Sequence, residues 1–94
     1  MKVKKVLSIK RHKQFTKDFL HVKMSEKHFA KFVVYVTKLL QCEPLPPEAL
    51  DHALEGNWSG FREFHISGDL LVVYMFDEQT LNLIRLGSHS ELFS

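Results

Sequence analysis

Leu70-Leu71-Val72-Val73-Tyr74-Met75-Phe76 is the longest unbroken apolar run in the chain. In a strand, successive side chains point to opposite faces, and a half-buried strand therefore alternates apolar with polar residues. This run is apolar on both parities, so it reads as a central strand covered on both faces, spanning Asp69–Phe76. A strand signal lies on each side of it, Gly60–Ser67 before and Thr80–Gly87 after. Ser67-Gly68 and Asp77-Glu78-Gln79 supply short turns, so the three strands should form an antiparallel meander.

Towards the N-terminus the period changes. Phe15, Phe19 and Val22 follow i, i+4, i+7 spacing, which predicts a helix from His12 to about Lys23. Ser25 is a good N-cap, and Glu26 behind it suits the positive end of a helix dipole. Phe29, Phe32, Val33, Val36, Leu39 and Leu40 then keep helical spacing through Gln41, and the aromatics among them read as core. Prolines at 44, 46 and 47 end that helix and open a loop to about Trp58. Ahead of both helices, Val3 to Lys10 reads as a first strand, with Leu7 and Ile9 alternating against Ser8 and Lys10. The order is β-α-α-β-β-β. It predicts an α+β domain over residues 1–94, two helices on one face of a mostly antiparallel four-stranded sheet, the other face left open.

The net charge of +2 conceals an asymmetry. Residues 1–41 carry eleven Lys/Arg against Asp18 and Glu26, or +9; residues 42–94 carry Arg62 and Arg85 against nine acids, or −7. A lysine-rich first half suits a polyanion or an acidic protein partner. No apolar run approaches the roughly 18 residues that cross a bilayer. The basic start Met1-Lys2-Val3-Lys4-Lys5 lacks the apolar segment of a secretory signal. With Cys42 as the single cysteine there is no internal disulfide. These features point to a reducing cytoplasm and to no membrane partner.

Chemistry gathers at the end of the last strand. Arg85 and His89 share parity if the chain stays extended. Arginine contacts phosphate oxygens in pairs, and an imidazole carries a proton near neutral pH, so the two together suit a phosphate ester. His52, His65 and His89 are thirteen and twenty-four residues apart, which matches no zinc spacing, and Cys42 has no cysteine partner. No metal and no cofactor are expected.

Several spaced motifs then agree with a known family. Asp51-His52 with Leu54, Gly56, Trp58 and Gly60, then Arg62-Glu63-Phe64-His65, then Asp69-Leu70-Leu71-Val72-Val73-Tyr74, then Arg85-Leu86-Gly87-Ser88-His89-Ser90-Glu91-Leu92-Phe93, resembles the YafQ branch of the RelE/YoeB toxin superfamily. The match covers roughly residues 44–94; the first half agrees in element order. Leu70 stands where some members carry tryptophan, and Ala53 where some carry proline. The resemblance implies a type II toxin that cuts mRNA in the ribosomal A site and is silenced by a cognate antitoxin. The positions it links to activity are His52, His65, Asp69, Arg85, His89 and Phe93.

Such a set is a sufficient toolkit for RNA cleavage without metal. A base takes the 2′-hydroxyl proton, the oxygen attacks phosphorus, an acid protonates the leaving 5′-oxygen, and a cation steadies the non-bridging oxygens. His89 is the expected main proton-transfer residue and Arg85 the phosphate clamp. His52 and His65 would supply the second transfer or electrostatic support, Asp69 would orient a histidine, and Phe93 would stack a splayed base. The lysine-rich half would meet ribosomal RNA. Alternatives stay open at this stage. His65 also reads as a satisfied strand histidine, His52 as surface, and Asp69 as a turn residue. The whole chain also reads as a binding module without ribonuclease activity, or as a ribonuclease that needs no ribosome.

Overall fold

A computed structural model describes residues 6–93. Strand β1 is Ser8–Arg11, followed by helices α1 (Lys13–His21) and α2 (Glu26–Leu40). A two-residue strand β2 (His52–Ala53) precedes the meander β3 (Arg62–Ser67), β4 (Leu70–Asp77) and β5 (Thr80–Gly87), and a short helix α3 (His89–Phe93) ends the described chain. The sheet order is β1-β5-β4-β3-β2. As expected from its two apolar parities, β4 is central, and Leu71, Val72, Val73 and Tyr74 are all wholly buried. Burying each such side chain contributes roughly 1.5–3 kcal/mol.

Both helices lie where their periodicity places them. Phe15 of α1 and Phe32, Tyr35, Val36 and Leu39 of α2 pack on Phe64, Ile66, Val72, Tyr74, Leu81, Leu83 and Leu86. The Ser25 side chain caps α2 by accepting the His28 amide at 3.1 Å. Phe29 departs from the expected core. It is 43% exposed, at the rim of the Phe15–Phe19–Phe32 cluster.

Four further features differ from the expected four-stranded sheet with an open face. First, the described residues form five strands, because β2 pairs antiparallel with β3 through His52↔Glu63 and Ala53↔Arg62. Second, β1 begins at Ser8 and runs to Arg11 rather than covering Val3–Lys10; residues 3–5 of that expectation lie outside the described residues. It pairs parallel with β5, Ser8↔Thr80 to Arg11↔Leu83. Third, the face away from α1 and α2 is covered. Leu71, Val73 and Leu92 form a second cluster there, closed by Leu54, Trp58, Phe61, Ile84 and Phe93. Fourth, the chain is not extended beyond Gly87. Ser88 and Glu91 form a reciprocal cap, with the Ser88 amide on Glu91 Oε1 at 2.9 Å and the Glu91 amide on Ser88 Oγ at 3.2 Å. That S-x-x-E box starts α3 and ends the parity shared by Arg85 and His89.

Candidate active site

The site begins with Asp51, which fixes the entry to β2. The buried Tyr74 hydroxyl donates to Asp51 Oδ1 at 2.5 Å, and Arg62 Nε reaches the same oxygen at 3.3 Å and the phenol oxygen at 3.2 Å. Burial pushes the Tyr74 phenol up, and its bond to Asp51 pushes it further, so it remains a donor. Leu50, immediately before, takes a left-handed φ of 50°. Its carbonyl accepts from His52 Nδ1 at 2.6 Å. A ring nitrogen beside a carbonyl must carry its proton, so Nε2 is the free position of the neutral His52 ring.

That Nε2 lies 3.3 Å from Glu63 Oε2, and His65 Nε2 lies 3.1 Å from the same oxygen. Glu63 and His65 are two apart on β3 and so share a face, while the β2–β3 register sets His52 opposite Glu63. Glu63 is 4% exposed. Its other oxygen, Oε1, and His65 Nδ1 are buried without a hydrogen-bond partner among the described residues. The geometry therefore places one buried carboxylate between two imidazoles. His65 Nε2 donates to it, whereas His52 Nε2 approaches it at 3.3 Å as a charge partner when the ring is protonated.

α3 builds the opposite wall. The His89 ring lies 4.9 Å from Phe93, which meets Trp58 edge-on at 5.3 Å. Trp58 in turn meets Phe61 at 5.4 Å, so the wall is anchored in the second core. A shallow cleft of about 140 Å³ runs between the walls, bordered by His52 and Glu63 on one side and His89, Phe93 and Trp58 on the other.

The structure thus gathers His52, His89 and Phe93 in one cleft, with His65 behind His52 at a ring separation of 6.4 Å. Asp69 is not joined to them. It stands exposed in the turn between β3 and β4, and no hydrogen bond links it to a histidine among the described residues. The carboxylate that meets the histidines is Glu63, a role sequence reasoning missed although its i, i+2 spacing from His65 was in view. Arg85 is tied elsewhere. Its Nε and Nη2 donate to Asp18 of α1 at 2.8 and 3.3 Å. Among the described residues no group of three or more His, Cys, Asp or Glu side chains is arranged to hold a metal ion.

Residues 7–94 match a family model described as bacterial toxin of type II toxin-antitoxin system, YafQ. A YafQ homologue of Haemophilus influenzae is 35% identical over 100 residues, covering 97% of this chain and 96% of its own. The mRNA interferase toxin YafQ of Escherichia coli K12 is 32% identical over 81 residues, covering 85% of this chain and 88% of its own. A crystal structure of the E. coli DinJ-YafQ complex superposes with a TM-score of 0.80 at 30% identity, over 94% of this chain and 99% of that one.

Proposed function

The chain belongs to the YafQ family of bacterial toxins of type II toxin–antitoxin systems, and from that premise we propose that it is an mRNA interferase. It cuts mRNA on the ribosome by acid–base chemistry without a metal, and a cognate antitoxin silences it. The observation that carries this reading is the cleft whose walls bring His52, backed by Glu63, against His89 and Phe93. Two imidazoles across a narrow cleft suit the two proton transfers of 2′-hydroxyl attack and 5′-oxygen departure. His89 is exposed at the lip and performs the main transfer, while Phe93 offers a π-face to a splayed base. His52 performs the second, its Nδ1 proton fixed by Leu50 and its Nε2 beside Glu63. Arg85 contributes the cation for the non-bridging oxygens, and Asp69 contributes an exposed acceptor at the hairpin tip. The lysine-rich half meets ribosomal RNA, and an acidic antitoxin segment competes for the same surface.

The test is cleavage of a translated mRNA in extract. His89→Ala should slow it by about 10²–10⁴-fold while leaving circular dichroism and antitoxin binding unchanged, since the side chain is exposed. Chain stripped of transition metals by dialysis against a chelator should cut at the untreated rate. Naked RNA should be cut far more slowly than translated mRNA. If His89→Ala cuts at the parent rate, the main transfer belongs to another residue. If the parent chain itself cuts nothing, a binding module without ribonuclease activity becomes the better reading.

A further inference from the structure

Residues 1–41 hold only two acids, Asp18 and Glu26. Glu26 sits in the first turn of α2, where helix polarity favours it. Asp18 sits near the end of α1, amid lysines, and points at the last strand. Its Oδ2 accepts Arg85 Nε at 2.8 Å and the Leu86 amide at 3.0 Å, and its Oδ1 accepts Arg85 Nη2 at 3.3 Å and the Gln14 amide nitrogen at 3.1 Å. The parallel partner β1 ends at Arg11↔Leu83. The edge of β5 is therefore free of strand at Leu86, and the carboxylate takes the place of a strand carbonyl there.

A surface ion pair contributes little, but this one is neither exposed nor single. The Asp18 side chain is 11% exposed and that of Arg85 25%. The pairing also divides the guanidinium. A guanidinium has five N–H donors in a planar fork. Asp18 takes the Nε–H and one Nη2–H, along one side. Among the described residues the end-on pair, one proton on each terminal nitrogen, has no partner and keeps the geometry that meets two phosphate oxygens. Arg85 also borders a cavity of about 450 Å³, where Lys17 and His21 stand beside the carboxylates of Asp18 and Glu91.

We propose that Asp18 is a positioning residue for cleavage: it locks the side of the Arg85 guanidinium and the backbone of Leu86 so that the remaining fork is set for the RNA phosphate. Asp18 touches no substrate. It acts through Arg85, and its bond from the Leu86 amide holds the carboxylate in place for that contact. The inference rests on the proposed ribonuclease function and on Arg85 as the phosphate contact.

The experiment is a double-mutant cycle of Asp18→Asn and Arg85→Ala, read as mRNA cleavage in a translating extract and as melting temperature. Asp18→Asn keeps the shape but loses the charge, and a misset cation should slow cleavage by about 10- to 100-fold. In the Arg85→Ala background the same change should alter the rate by less than about twofold, because there is no guanidinium left to set. A merely structural role would instead slow both backgrounds by the same factor, and that result overturns the proposal. So does an Asp18→Asn chain that cuts at the parent rate while Arg85→Ala is crippled; the ribonuclease reading then stands. If Arg85→Ala cuts normally, Arg85 is not the phosphate contact and the inference falls with that assignment.

Discussion

Glu63 is the carboxylate that both His52 and His65 approach. It is buried, yet its partners are imidazoles whose charge depends on protonation. Glu63→Gln leaves His65 an acceptor and removes the charge; Glu63→Ala leaves the partly buried His65 without one. Cleavage should fall at least about tenfold in both, but thermal unfolding should separate them. The alanine chain should lose about 1–3 kcal/mol of stability, the cost of an unsatisfied buried polar group, and the glutamine chain much less. Asp18 gives a different readout. Its burial raises the carboxyl pKa, but the bonds from Arg85, the Leu86 amide and Gln14 outweigh burial and hold it below the ordinary 3.8. A depressed carboxylate stabilises the fold above its unfolded pKa, and that contribution is lost as pH falls through the folded value. Asp18→Asn should therefore flatten the stability curve below about pH 4. A parent and variant whose unfolding shifts equally with acid would contradict this.

At the scale of elements, α3 decides whether the cleft has two walls. Five residues make a marginal helix, and most of its order comes from the Ser88–Glu91 cap and from Leu92 in the second core. Ser88→Ala should cost about 1 kcal/mol, felt locally: amide exchange in α3 should rise and cleavage fall while the global melting point barely moves. Gly87→Ala attacks the same joint sterically. A Cβ there would stand 3.2 Å from Glu91 Oε1 and 3.3 Å from Leu92 Cδ2, so both side chains must give by a few tenths of an ångström. The sequence showed the long elements plainly, since β4, α1 and α2 each repeat one period over many residues. Its short elements were harder. Ser88-His89-Ser90-Glu91 is a helix-start signal, but it follows a strand so closely that an extended reading passed over it. Ile84 is the extra residue of a bulge, Val73↔Arg85 being followed by Tyr74↔Leu83. The bulge explains why Leu83 and Leu86, three apart, both face α1 and α2, and no parity argument anticipates that. The two-residue β2 has too little sequence to show a period. Likewise nothing local to residues 8–11 indicates a parallel partner some seventy residues away.

For the whole molecule, charge and topology have separate consequences. Lys13, Lys17, Lys23 and Lys27 on and between α1 and α2 form no ion pair among the described residues, whereas Lys31 donates to the Ile66 carbonyl and Lys38 meets Glu43. Binding to empty ribosomes should therefore weaken with salt along a straight log–log line. Replacing Lys17 and Lys27 with glutamine should lower that slope by about one for each phosphate no longer neutralised. An unchanged slope would remove these lysines from the RNA interface. The topology bears on when activity arises. Among the described residues β5 is the last strand in chain order, yet it lies inside the sheet, between β1 and β4. A nascent chain that has reached residue 79 has a β1 with no strand beside it and a β4 with one neighbour instead of two. Closing the sheet joins residues from opposite ends of the polypeptide, a slow step because a long loop must be ordered first. Arg85 lies on β5, and His89 and Phe93 follow directly behind it. The same insertion that completes the fold delivers the candidate chemistry, so on the proposed mechanism a chain that stops short of β5 lacks Arg85, His89 and Phe93 and should cut no mRNA.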